Sequence, residues 1–230
     1  MIEYTKMENM MSYSYMKSDP ITVLEGKTVL KARDLSDRTL QTAVIPEGIR
    51  ILDEAVFSGY TALSAIIFPE SLERIRQCAF EGCVSLKRAV IPPSVQSLGA
   101  GLFSKCENLT EVSLPDHLEK NGTRFFYRCQ ALSFFSFPRS VKEIHMEAFA
   151  FCESLEAVAF PLRLERIGKG AFHACTALSE VVIPPSVQRI EEGAFHGCHA
   201  LRSVTIPTRF REEIDRIFGE IDRGIIRFTE

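Results

Sequence analysis

No apolar run in the sequence approaches the ~18 residues that a membrane-spanning helix needs, which excludes a helical span. Charge of either sign is not in surplus: 27 basic residues stand against 30 acidic ones, so no global field favours nucleic acid or an anionic membrane surface. The opening stretch MIEYTKMENMMSYSYMKSD lacks the continuous apolar segment of a secretory signal, because Glu3, Lys6, Glu8 and Lys17 interrupt its methionines. The expectation is a cytoplasmic protein if this N-terminus is native, and a secreted or cell-surface protein if a leader preceded it. There is also no glycine-rich phosphate loop and no strained nucleophile elbow. Ser94 and Ser186 recur in a PPSV turn and read as turn formers, so the expectation is a non-catalytic protein with no cofactor.

What the sequence does have is a period. Prolines stand at 46, 69, 92, 115, 138, 161, 184 and 207, each 23 residues from the last, and only Pro20, Pro93 and Pro185 fall outside the series. The hexapeptide IPPSVQ occurs at Ile91–Gln96 and again at Ile183–Gln188, four periods later. Counting from each proline, position +11 is Phe57, Phe80, Phe103, Phe126, Phe149, Phe172 and Phe195, and +17 is Leu63, Leu86, Leu109, Leu132, Leu155, Leu178 and Leu201. Position +14 is Tyr60 and then Cys83, Cys106, Cys129, Cys152, Cys175 and Cys198. Position +6 is apolar except at Asn121.

Apolar spacings of two, three and four within one unit match neither a helix nor a strand alone. They match a coil in which each unit makes one turn and stacks its inward residues on those of its neighbours. The stretch before each proline, such as LTEVSLP or LSEVVIP, alternates and is β-branched, and predicts a short strand. Successive strands then pair in parallel about 4.8 Å apart. Proline suits the strand exit because it has no N–H to leave unpaired. Glycines at +7, +9 and +13, such as Gly99, Gly101, Gly168, Gly170, Gly193, Gly59, Gly82 and Gly197, are expected to supply tight bends. The fold class is a β-rich α/β solenoid: a right-handed coil with a parallel β-sheet on its concave face and short terminal caps.

The unit CxxLxxVxIPxSVxxIGxGAFxx, read from Cys83, Leu86, Pro92, Val95, Leu98, Phe103 and their equivalents over residues 40–207, resembles the BspA-like leucine-rich repeat. The resemblance implies a curved solenoid with parallel strands on its concave side. Members of that family are mostly bacterial surface proteins implicated in adhesion and host-protein binding, so the resemblance also implies an adhesin-like module as one functional reading.

Residues 1–19 are expected as a disordered tail and 20–45 as an N-terminal cap with half a unit, LQTAVIP, after a hairpin around Glu25 and Gly26. Residues 46–207 hold seven repeats. In 208–230 the period gives way to helical spacing at Phe210, Ile214, Ile217, Phe218 and Ile221, then a final strand IIRF, which together predict a helical cap. The fourth unit is irregular, because Asn121 replaces an apolar residue and Phe125 replaces a residue that is alanine in four of the other six units. Either the ring fills what the shorter Asn121 leaves, or the unit forms a kink that displays Tyr127, Phe134 and Phe151.

Six cysteines in one register are expected as small buried hydrophobes rather than disulfides, because parallel Cβ vectors one turn apart approach an S–S bond poorly. Cys78, outside that column, is expected to be more accessible. In HGCHA, His196 and His199 flank Cys198, with His173 one turn below, so these three histidines are the candidate ligands of a metal-dependent activity. They fall at variable outward positions, where solvated histidines are the rule. Charges alternate along +4 (Arg50, Glu73, Glu119, Lys142, Glu165) and at +5 (Lys120, Glu143, Arg166), predicting cross-turn ion pairs rather than a basic stripe, so nucleic acid is not an expected partner.

The remaining candidate surface is the outward face of the strands. Positions +19 and +21 give Arg88, Glu111, Phe134 and Glu180 beside Ser113 and Ser136 among small neighbours, a surface that suits a protein or peptide partner with Phe134 as central anchor. The leading reading is a monomeric, non-catalytic protein- or peptide-binding module. A third possibility is a structural stacking unit that associates end to end through Phe210, Ile214 and Phe218.

Overall fold

A computed structural model describes Ile21 and residues 25–230. The tail expected over 1–19 and the first arm of the expected hairpin lie outside the described residues. The chain is a stack of single turns joined by parallel strands. Among the described residues nine short strands follow one another along the long ladder, paired in four groups: Thr42–Val44 with Ala65–Ile67, Arg88–Val90 with Glu111–Ser113, Phe134–Ser136 with Ala157–Ala159, and Glu180–Val182 with Ser203–Pro207 and Ile226–Thr229. The first eight each begin four residues before a proline of the 23-residue series, as the alternating segments predict. Their middle residues, such as Ala89, Phe135 and Val181, face the core, and from Arg88–Val90 to Glu180–Val182 the residues on either side face solvent.

Two-residue strands at +5 and +6, beginning with Ile51–Leu52 and ending with Arg189–Ile190, make a second, shorter ladder. Its +6 residues Leu52, Ile75, Ile144, Ile167 and Ile190 are buried. Val29–Leu30 joins it parallel to Ile51–Leu52. The segment after Glu25 and Gly26 thus adds a parallel strand to the short ladder.

Between the ladders the backbone runs as an outer arc from +7 to +13. Here too the turns are bonded to one another: the amide of Phe57 donates to Ala79 at 2.8 Å, Phe126 to Ala148 at 2.7 Å and Phe195 to Ile217 at 3.0 Å. Three lines of turn-to-turn bonds thus satisfy a backbone that forms few helices. Inside the coil the +11 phenylalanines make one column. From Phe57 to Phe195 and on to Phe218, successive ring centroids lie 5.0–5.9 Å apart.

The cysteine column has its own bond. The thiols of Cys83, Cys106, Cys129, Cys152, Cys175 and Cys198 donate to the carbonyl of the phenylalanine one unit earlier, at 3.1–3.2 Å. All seven cysteines are free. A small apolar side chain with a weak donor is what this position requires, and burial pushes the thiols of Cys83, Cys152 and Cys198 up to about 12.

Two expectations need correction. Glycines at +9 and +13 do sit in the left-handed region, but those at +7 serve close approach: a Cβ on Gly99 would lie 2.2 Å from the Gln77 nitrogen, and one on Gly168 would lie 2.7 Å from the Met146 nitrogen. The repeat also does not stop at Pro207. Phe210 and Phe218 hold the +3 and +11 positions of an eighth turn, in which a 3₁₀ segment (Thr208–Glu213) and the short helix Ile214–Phe218 replace the arc. Phe210, Ile214 and Phe218 are 2%, 0% and 3% exposed, so the end-to-end surface expected at these residues is closed inside the cap.

Candidate functional site

The outward rows of the long ladder are open from the third turn onward. Thr42 and Ala65 are buried, whereas Arg88, Glu111, Phe134, Ala157 and Glu180 are exposed. Three large apolar side chains stand in solvent on this face: Val90 at 45%, Phe134 at 55% and Val182 at 52%. They recur every second turn, roughly 10 Å apart.

Arg88 and Glu111 are ladder partners, and the guanidinium grips the carboxylate at 2.5 and 2.9 Å. The two charges expected to meet a partner therefore meet each other first. Both are about half exposed, so the pair orients side chains more than it stabilises the fold. Ser113 and Ser136 are exposed on the second row. Glu180 is exposed, and no cation stands within ion-pairing distance of it among the described residues.

Among the described residues strand pairing along the long row lapses at three junctions, between Ala65–Ile67 and Arg88–Val90, between Glu111–Ser113 and Phe134–Ser136, and between Ala157–Ala159 and Glu180–Val182. Glu111–Ser113 pairs back to Arg88–Val90, and Phe134–Ser136 pairs forward to Ala157–Ala159, but among the described residues no ladder joins the first pair to the second. At the same junction the short ladder stops at Ser97–Leu98 and resumes at the Lys120–Glu143 bridge. Among the described residues both ladders lapse together only here. The arc holds the junction closed, with Phe103 bonded to Phe125 at 3.0 Å and Lys105 to Tyr127 at 2.6 Å.

The lapse of the short ladder coincides with Asn121. Its buried Oδ1 accepts the His145 amide at 3.1 Å, while its Nδ2 has no partner. Phe125 lies fully buried, edge-on to Phe103 and Phe126. Of the three rings that a kink would display, Phe134 is exposed while Tyr127 and Phe151 are half-buried. On the strand face the junction opens as a groove of about 410 Å³, lined by residues 110–114, Asp116 and 134–138. Glu111, Ser113, Phe134 and Ser136 all border it; Arg88 and Glu180 lie outside it.

The histidines do not converge. His173 packs edge-on against Phe151 at 5.2 Å, the His196 Nε2 lies 3.4 Å from the Asp215 carbonyl oxygen, and His199 is exposed. The Cys198 thiol points inward to Phe172. Among the described residues no three histidine, cysteine or acidic side chains are placed to hold a metal. Of the two recurrent serines, Ser186 is a turn former, its Oγ donating to the Leu164 carbonyl at 2.7 Å as Ser71 does to Ile49 at 2.9 Å, whereas the buried Ser94 Oγ has no hydrogen-bond partner among the described residues. The charged columns pair across turns, with Arg50 on Glu73 at 2.5 Å and Lys142 on Glu119 at 2.8 Å.

A stacked coil with one phenylalanine column, a cysteine register and parallel strands on one face defines a leucine-rich repeat solenoid. The model of the BspA-type leucine-rich repeat region, in six copies, matches residues 32–156 and 142–223, and the chain belongs to that family. Among solved structures, a leucine-rich repeat protein of Bacteroides ovatus is similar at 25% identity and TM-score 0.57, over 84% of this chain and 61% of that one. One from Eubacterium ventriosum is similar at 25% identity and TM-score 0.67, over 75% and 46%. The leucine-rich repeat protein of T. pallidum is similar at 26% identity and TM-score 0.55, over 83% and 73%. The chain thus spans less than two thirds of the Bacteroides and Eubacterium proteins. Comparison with curated proteins finds no match.

Proposed function

We propose that the module binds a protein or peptide segment along the outward strand face between Arg88 and Glu180, with Phe134 as the anchor. The observation that carries this reading is the 55% exposure of Phe134 beside the groove at a junction where both ladders lapse. An exposed ring next to an open groove is the arrangement in which burial by a partner gains most. Val90 and Val182 extend the apolar footing two turns to each side. An extended segment lying along the stack advances ~3.3 Å per residue, so about every third side chain would meet one of these three points. The module acts by binding rather than catalysis, a reading supported by family membership and by serines that hold turns.

The test is capture from the source organism with the wild type and Phe134→Ala side by side, followed by mass spectrometry. A partner retained by the wild type and lost by a folded Phe134→Ala protein supports the reading. If both retain the same set, the strand face is not the binding surface. An extracellular host protein among those lost would favour the adhesin-like reading of the same face.

A further inference from the structure

The outer arc carries a second group of side chains that the repeat itself does not require. Positions +9 and +13 have positive φ in every one of the seven units, and glycine fills six of these fourteen places. Only units four and five put a large side chain at both positions: Arg124, Arg128, Glu147 and Phe151, with φ of 52–62°. Left-handed backbone disfavours residues with a Cβ, and neighbouring turns avoid the problem with Gly59, Gly82, Gly170 or Gly193.

These four strained residues form one cluster. The Arg128 guanidinium lies over the rings of both Tyr127 and Phe151, at 5.6 and 5.3 Å, and Arg124 lies 5.4 Å from the Tyr127 ring. Tyr127 meets Phe151 edge-on at 5.5 Å. Beside the rings runs a trough of about 400 Å³ floored by Gly170 and Gly193. Its two carboxylates are already engaged, Glu147 by Arg124 at 2.6 Å and Glu192 by Lys169 at 2.7 Å. No carboxylate stands within ion-pairing distance of Arg128 among the described residues. With its guanidinium over two rings and no carboxylate on it, Arg128 keeps N–H groups that can donate to a carboxylate.

We infer that this arc is a second interaction surface, separate from the strand face, and that it binds an acidic segment of a partner protein through Arg128. The net charge of −3 opposes nonspecific attraction of an acidic chain, so the recognition is local to this cluster.

The variant that tests it restores the repeat's own residue. Arg128→Gly places at +13 the glycine found in units one, two and seven, so the backbone is relieved rather than disturbed. Binding of a fluorescein-labelled hexaglutamate peptide would be measured at low salt, with hexaglutamine as control, together with the melting temperature. The wild type should bind hexaglutamate and not hexaglutamine, and Arg128→Gly should lose affinity about tenfold without melting lower. No binding by the wild type, or equal binding by both proteins, would overturn the proposal. So would a lower melting temperature in Arg128→Gly, because Arg128 would then be a brace for the rings and not a binding group.

Discussion

Phe149 shows how single residues carry this fold. Its ring is fully buried and has Phe126, Phe135, Phe137 and Phe172 at 5.0–5.4 Å. Phe149→Ala would open a cavity in a column that cannot close around it and should cost ~3–5 kcal/mol, read from denaturant unfolding. Phe134, on the same chain with its ring in solvent, should change stability by less than ~1 kcal/mol when cut to alanine. Thiols are a second case. In the native state the six buried thiols keep their protons, while in the unfolded chain they lose them above pH ~8.5. The unfolded state then binds fewer protons, so stability falls with rising pH, between about 8.5 and the raised native values near 12 of Cys83, Cys152 and Cys198. By pH 10 each of these three thiols should cost on the order of 2 kcal/mol, read as a falling denaturant midpoint between about pH 8 and 10. A thiol reagent at pH 8 should label Cys78, which is partly exposed, well before the other six; uniform labelling of all seven in folded protein would contradict their burial.

At the scale of the turn, the fourth unit separates what was legible in the sequence from what was not. The proline period, the phenylalanine column and the alternating segments announce stacked turns and parallel strands, because each unit repeats the same burial. The replacement of an apolar residue by Asn121 also marks where the short ladder lapses. The lapse of the long ladder at Phe134 carries no such mark, since strand pairing depends on the relative placement of two turns and not on residues within one. The helical spacing after Pro207 hid Phe210 and Phe218, which continue the buried register as an eighth turn. The left-handed +9 and +13 places were visible only where glycine fills them; Arg124, Arg128, Glu147 and Phe151 occupy the same backbone without that sign. If Phe125 fills the volume left by Asn121, the two residues are coupled. Asn121→Ile alone should overpack the turn and strand the His145 amide, costing ~1–3 kcal/mol. With Phe125→Ala added, the double variant should be more stable than the sum of the single effects by about 1 kcal/mol or more. Additivity within about 0.5 kcal/mol in chemical unfolding would mean that ring and amide are independent.

The whole molecule is a spring of similar turns with two faces that depart from similarity, both centred on the fourth and fifth units. A solenoid of this kind gains stability turn by turn from neighbours, so substitutions on its outward rows leave the stack intact and report on binding alone. The measurement that bears most directly on the account is calorimetric titration of the captured partner, or of the segment of it that is retained, into wild type and Phe134→Ala at matched melting temperature. Loss of one anchor ring should weaken binding about thirtyfold or more, corresponding to ~2 kcal/mol for a central aromatic contact. Equal affinity in the two proteins would contradict the assignment of the strand face as the binding surface.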